Sequence, residues 1–199
     1  MESVTYRTGG LHQPGRPEKL KVDLPPGVRV EPIAAHQTLS EMLATGEIDA
    51  LYTPRTPESF ARGDGRVRRL FEPSGPAEAE YFGRTGIFPI MHTVVLRREV
   101  YERNRWLARS LFDAFQQAKT LCEEGIDETA AARYMLPWLH DEVARTRSLL
   151  GEDYWPYGLA RNVETLRTFL RYSHEQGLAT RLLEPAELFA PETLEDTLV

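Results

Sequence analysis

Cysteine is almost missing from this chain: Cys122 is the only one among 199 residues. One thiol excludes an intrachain disulfide and a cysteine-based zinc cage. Its neighbours Phe115, Ala118 and Leu121 place it in a helix core, as a small apolar side chain rather than a reactive one. No apolar run approaches the ~20 residues that span a bilayer, so no membrane partner is expected. Basic charge is also short, with 24 Lys and Arg against 30 Asp and Glu, a formal net charge of −6. Such a surface repels phosphate backbones. The densest basic run, Arg62 to Arg69 (RGDGRVRR), is interrupted by Asp64 and reads as a solvated loop. No nucleic-acid partner is expected.

Signature motifs are equally scarce. There is no HExxH, no HxH, no GxGxxG, no P-loop and no GxSxG elbow. The chain is therefore expected to use no metal, no nucleotide and no other cofactor. The opening MESVTYRTGG lacks the basic and apolar regions of a signal peptide. If it is the true N-terminus, a cytoplasmic location follows.

What is present fits an ordinary folded protein: 41% hydrophobic and 27% charged residues. Val4 to Thr8 and Val28 to Ile33 read as short strands, the first ending at Gly9-Gly10. Thr38 is an N-cap with Glu41 three residues on, and Gly46 suits the left-handed stop of that helix. Ile48 to Thr53 then reads as a buried strand closed by Pro54. Strand, helix and strand with short links imply parallel pairing. Val67 to Phe71 and Thr93 to Leu96 are two further expected strands. Trp106, Leu107, Leu111, Phe112, Phe115 and Leu121 recur at helical spacing. Helices are also expected over Ala130 to Leu136, over His140 to Leu150, from Asn162 to Gly177, and briefly after Pro185.

This inventory is unbalanced. Before residue 90 there are strands with one convincing amphipathic helix, and after it helices with one strand. A parallel sheet needs cover on both faces, and each apolar helix stripe needs a partner. Neither half closes by itself, so either the two halves cover each other in an unusual fold or partner elements are missing, and the second is the expectation. Unpaired edges and apolar faces also favour a homo-oligomer.

Seven segments carry a resemblance: TGGLHQPGR (8–16), IDALYTPRTP (48–57), RTGIFPIMHTVVLRREVYERNRWLARSLFDAF (84–115), MLPWL (135–139), GEDYWPYGLARN (151–162), FLRYSHEQGL (169–178) and LFAPETL (188–194). Together they resemble the 4,5-dihydroxyphthalate decarboxylase family, whose fold is that of type 2 periplasmic solute-binding proteins. The resemblance implies an α/β fold of two lobes with ligand held between them at strand ends. It also implies that this chain is N-terminally truncated relative to the family. Residues 4–90 would be a partial second lobe, and residues 91–199 the mostly helical C-terminal part of the first. The implied activity is decarboxylation of a dihydroxylated aromatic dicarboxylate without a cofactor, the partner being a small aromatic carboxylate. A transport-type protein that binds such a carboxylate without chemistry is the alternative reading, and an inactive fragment is a third.

Aryl decarboxylation needs a cation for carboxylate, an acid for the ring carbon and a group to manage the phenolic proton. Arg55, after the expected strand 48–53 and braced by Pro54 and Pro57, suits the first task through its planar fork. Arg16 sits in the polar turn after the first strand, where Gly10 lets backbone N–H groups approach an anion. His12 in that turn and His92 in the FPIMH run suit proton transfer. Trp155 and Tyr157 are candidates for stacking on an aromatic ring. His36, His140 and His174 lie among charges at or on helices and read as surface residues.

Overall fold

In the computed structural model β1 (Thr5–Thr8) lies parallel to β2 (Arg29–Pro32), with Thr5 opposite Arg29 and Thr8 opposite Pro32. The structure describes residues 4–17 and 24–195. The Arg7 guanidinium donates to Glu31 across the pair, and Ile33 N–H to the Thr8 carbonyl at 2.9 Å extends the ladder. β2 leads into α1 (Leu39–Thr45), where the Thr38 hydroxyl accepts from the Glu41 N–H. Gly46 ends this helix at φ 78°, and its N–H bonds back to the Leu43 carbonyl. Both ends were legible from the side-chain chemistry.

The segment that follows departs from expectation. Ile48 to Thr53 is not a strand: Ile48 and Asp49 lie in a bend, and Tyr52 is fully exposed. A strand exists only through its ladder, and β1–β2 is a two-stranded sheet among the described residues. Val67 to Phe71 likewise forms no strand; Leu70 and Phe71 face solvent. Two helices stand where no helix was expected: α2 (Glu58–Ala61) and α3 (Ser74–Thr85). Pro76 falls in the first turn of α3, where its missing N–H costs nothing, and the Ala and Glu residues behind it favour the helix.

α4 (Arg98–Arg103) precedes the long α5 (Trp106–Asp127), followed by α6 (Leu139–Leu150) and α7 (Val163–Glu175). Short 3-10 turns at Pro185–Leu188 and Pro191–Thr193 complete the order. The helix expected over Ala130 to Leu136 is absent. Pro137 disfavours helical backbone in the residue before it, and Tyr134, Met135 and Leu136 find no surface to pack on. Trp138 just beyond has φ 60° and an exposed indole. Thr93 to Leu96 forms no strand, and none of the described residues pairs with it. Cys122 is exposed rather than in a core, with its sulfur 3.8 Å from the Tyr134 hydroxyl. The face of α5 that carries it is uncovered.

The chain divides into two compact units. The first comprises residues 4–77 with Ser173–Thr180, and the second Glu78–Tyr172 with the segment from Arg181. Met42, Ser40 and Ser59 form the buried centre of the first unit; Ala108, Leu166 and Leu170 are the buried apolar residues of the second. Leu166 and Leu170 share one face of α7, as the helical spacing predicts, whereas Phe169 points out. In the second unit α5 is tied to its neighbours by polar contacts. Arg147 of α6 reaches Asp127 at 2.8 Å, and Arg109 of α5 donates to the Glu195 carbonyl at 3.0 Å; on α4, Tyr101 donates to Glu192 of the last turn at 2.7 Å. Among the described residues no helix is long and apolar enough to cross a membrane.

Candidate functional site

The turn after β1 is held against the start of α1. Leu39 N–H donates to the Gly10 carbonyl at 3.0 Å, and Ser40 N–H to the Leu11 carbonyl at 3.2 Å. The two glycines make this approach feasible. A Cβ on Gly9 would lie 2.4 Å from the Ile33 side chain, and one on Gly10 only 1.9 Å from the Gln13 carbonyl oxygen. Gly10 is buried, and its notional Cβ would stand 3.2 Å from Arg16 Cβ. The turn therefore packs on itself, with Arg16 exposed beside it.

His12 leaves this turn toward the segment before α2. Its Nε2 is 3.2 Å from the Thr56 carbonyl oxygen, and its Nδ1 is 4.0 Å from Glu58 Oε1. Glu58 also faces Arg62 at 3.4 Å. Arg55, next to Thr56, sits in a turn where its N–H donates to Thr53 Oγ1 at 3.2 Å. Its guanidinium is exposed and has no partner among the described residues. Gly10, His12 and Arg16 thus belong to one turn, and His12 contacts the segment that carries Arg55. An imidazole beside a carboxylate can relay a proton, and a nearby unpaired guanidinium can take an anion.

The remaining predicted residues line a groove of about 870 Å³ in the second unit: His92, Trp155 and Tyr157. His92 is exposed and makes no hydrogen bond among the described residues. Trp155 meets Phe88 edge to face, with ring centroids 5.7 Å apart at 62°. The DYWPYG loop that carries both aromatics is fastened at two points. Asn162 Nδ2 donates to the Pro156 and Gly158 carbonyls at 2.9 and 2.8 Å. Asp153 accepts from Lys119 and from Arg161, each at 2.6 Å.

Lys119 is largely buried, its Nζ lies 5.9 Å from the Tyr157 ring centre, and Glu123 stands 3.3 Å away. Burial alone would lower its pKa, but the bonds to Asp153 and Glu123 prevail and raise it. Burial pushes the neighbouring Tyr154 phenol up as well, against the pull of Arg147. Tyr101, also on the groove wall, is raised by its hydrogen bond to Glu192.

Glu58, Lys119, Asp153 and Arg161 had not been singled out from sequence. The signal for Glu58 was faint: an acid directly after Thr56-Pro57 at a helix start. Asp153 and Lys119 are 34 positions apart, and no local pattern joins them. Among the described residues no group of His, Cys, Asp and Glu could hold a metal ion.

No family model matches this sequence. Curated relatives do. A 4,5-dihydroxyphthalate decarboxylase from Comamonas testosteroni is 40% identical over 192 residues, which is 96% of this chain and 58% of that protein. A 4,5-dihydroxyphthalate decarboxylase from Pseudomonas putida is 43% identical over 79 residues, 39% of this chain and 31% of that protein. The chain is a homologue of these decarboxylases. It spans less than three fifths of the length of the Comamonas testosteroni protein. All seven predicted residues of this decarboxylase homologue fall in two groups, one in each unit.

Proposed function

We propose that the protein is a carboxy-lyase acting on a dihydroxylated aromatic dicarboxylate of the 4,5-dihydroxyphthalate kind. The reading further holds that the fold is two-lobed, of the type 2 solute-binding kind, with the substrate in a cleft between α/β lobes. The observation that carries it is the 40% identity to a named decarboxylase along 96% of the chain. Unpaired Arg55, the His12–Glu58 contact and the Gly10 turn support it by offering the needed groups.

On this reading Arg55 and Arg16 hold carboxylate, and the Gly10 turn adds backbone N–H donors. A phenolate para to the departing carboxylate pushes electron density onto the ring carbon, which takes a proton from His12 or His92. The bond to the carboxylate carbon then breaks, its electron pair restores the aromatic ring, and carbon dioxide leaves. One carboxylate remains, so the product is a dihydroxybenzoate. Trp155 and Tyr157 provide faces against which a planar ring can stack. No cofactor enters this balance.

The test is to incubate the protein with 4,5-dihydroxyphthalate and measure carbon dioxide together with dihydroxybenzoate. Equal amounts of the two products support the assignment. Tight binding with no gas released would instead favour a transport-type binding protein.

A further inference from the structure

Both ring nitrogens of His12 face acceptors, and only one of them is bonded. Nε2 lies 3.2 Å from the Thr56 carbonyl oxygen, whereas Nδ1 stands 4.0 Å from Glu58 Oε1, beyond hydrogen-bond reach. A carbonyl oxygen has no proton to give, so Nε2 carries one and donates it. In the neutral ring the lone pair is therefore on Nδ1. That nitrogen is the one that takes a proton, and the imidazolium it forms lies beside a carboxylate.

The surroundings hold the ring in this arrangement. Next to His12 the Gly10 and Leu11 carbonyls accept from Leu39 and Ser40, which pins the turn to α1. Thr56 is followed by Pro57, whose ring sets φ at −64°, and it precedes α2. Its carbonyl is therefore outside the helix ladder and turned to His12. Glu58 is in turn held by Arg62, one helical turn on, at 3.4 Å. The His12 side chain is 31% exposed, so the pair stands at the surface of the first unit, within reach of a ligand.

The proposed reaction runs through a phenolate para to the departing carboxylate, and a phenolic hydroxyl holds its proton at neutral pH. A base is required. We infer that His12 is that base, acting through Nδ1, with the Thr56 carbonyl fixing the ring and Glu58 as a positioning residue that stabilises the charge the ring gains. The inference rests on the decarboxylase reading and deepens it. The phenolic O–H bond breaks, an Nδ1–H bond forms, and the phenolate electron pair moves toward the ring carbon para to it. A separate acid protonates that carbon, a task that of the two candidate histidines falls to His92. The bond to the carboxylate carbon breaks, its pair restores the aromatic ring, the oxygen regains its charge, and Nδ1 returns the borrowed proton. His12 ends as it began, and the net proton consumed comes from the other donor.

Long-range proton–nitrogen correlation NMR on the intact chain reads the neutral tautomer directly. His12 should favour Nε2–H by about tenfold or more, the scale of one hydrogen bond, and by a larger margin than exposed His36 in the same spectrum. A proton on Nδ1, or a mixture no more skewed than that of His36, would overturn the inference whatever the activity. Kinetics then compares 4,5-dihydroxyphthalate with a ring-fluorinated analogue, whose phenol is more acidic. The deficit of His12→Gln should be roughly three- to tenfold smaller on the analogue, because a more acidic phenol depends less on the base. Glu58→Gln should lower kcat about tenfold on the parent substrate, again less on the analogue, with Glu58→Asp closer to the parent protein. A loosened turn would slow both substrates alike, so equal deficits would overturn the inference. A parent protein that releases no carbon dioxide from either substrate would instead remove the decarboxylase reading, and the base role with it.

Discussion

Lys119 and Asp153 meet at 2.6 Å across 34 residues of sequence, joining the middle of α5 to the loop that carries Trp155 and Tyr157. Both partners are sheltered, so the pair is screened less than the surface ion pairs elsewhere in the chain. Asp153→Asn should cost about 1–2 kcal/mol at neutral pH, the scale of a hydrogen bond to a charged group. The pKa of Lys119 is raised in the folded protein. Its contribution is therefore complete below the unfolded lysine value and is lost as pH rises through the higher folded value. Denaturant titrations of both proteins should show a gap that is constant at neutral pH and narrows in strong alkali, where the Arg161 contact to Asp153 persists. A gap that persists unchanged there would count against the ion pair as its source.

Gly10 and Gly83 form a matched pair for substitution. A Cβ at Gly10 meets the Gln13 carbonyl at 1.9 Å, whereas one at Gly83 meets nothing within 4 Å. Gly10→Ala should destabilise by about 1–3 kcal/mol, because the turn must open to relieve the overlap. Gly83→Ala, within α3, should stabilise by about 0.5–1 kcal/mol. Urea midpoints of the two variants should move in opposite directions.

Tyr101 donates its hydroxyl proton to Glu192 and anchors the last 3-10 turn to the start of the α4–α5 segment. This bond holds the Glu192 carboxyl below the ordinary glutamate range. Its stabilising effect is present above the unfolded glutamate value and disappears as pH falls through the lower folded value. Tyr101→Phe should speed amide exchange at Thr193 and Leu194, the N–H groups bonded within that turn, at neutral pH. It should make no difference in strong acid, where the parent has lost the bond as well.

In a protein active on 4,5-dihydroxyphthalate, replacing the proton-handling and anion-holding groups should have separable effects. His12→Gln is expected to lower kcat by about 10²–10⁴ with KM little changed. Arg55→Lys keeps the charge but loses the planar fork, and should raise KM about tenfold or more with a smaller effect on kcat. Steady-state kinetics on both variants distinguishes the roles. A His12→Gln protein with parental kcat would remove His12 from the chemistry.

Elements with their own chemical punctuation were legible in the sequence. Thr38 and Gly46 bound α1 because a hydroxyl and a left-handed glycine act within a few residues. The apolar repeat of α5 and the stop at Gly151 after α6 are similarly local. Ile48 to Thr53 and Thr93 to Leu96 failed as strands for the opposite reason. Their composition suits a sheet, but a ladder depends on what lies alongside, which local pattern does not specify. Ala130 to Leu136 shows the same limit for helices: propensity without a surface to pack against, and with Pro137 adjacent, does not hold.

The candidate site divided along the same line. Gly10, His12 and Arg16 could be placed in one turn because they are near neighbours in the chain. Glu58, which stands 46 positions beyond His12 and faces its Nδ1, could not. The fastening of the aromatic loop by Asn162 was partly visible. Asparagine there was expected to cap α7, but its side chain reaches back to Pro156 and Gly158 instead.

The uncovered indoles give the protein an optical gauge of its own. Trp106, Trp138 and Trp155 are the chain's three tryptophans, and all stand in substantial contact with solvent. Their emission should sit toward the red, near that of indole in water, although the chain is folded. Anything that settles over α5 or the aromatic loop would shift the colour toward blue and slow quenching by iodide, with no label attached.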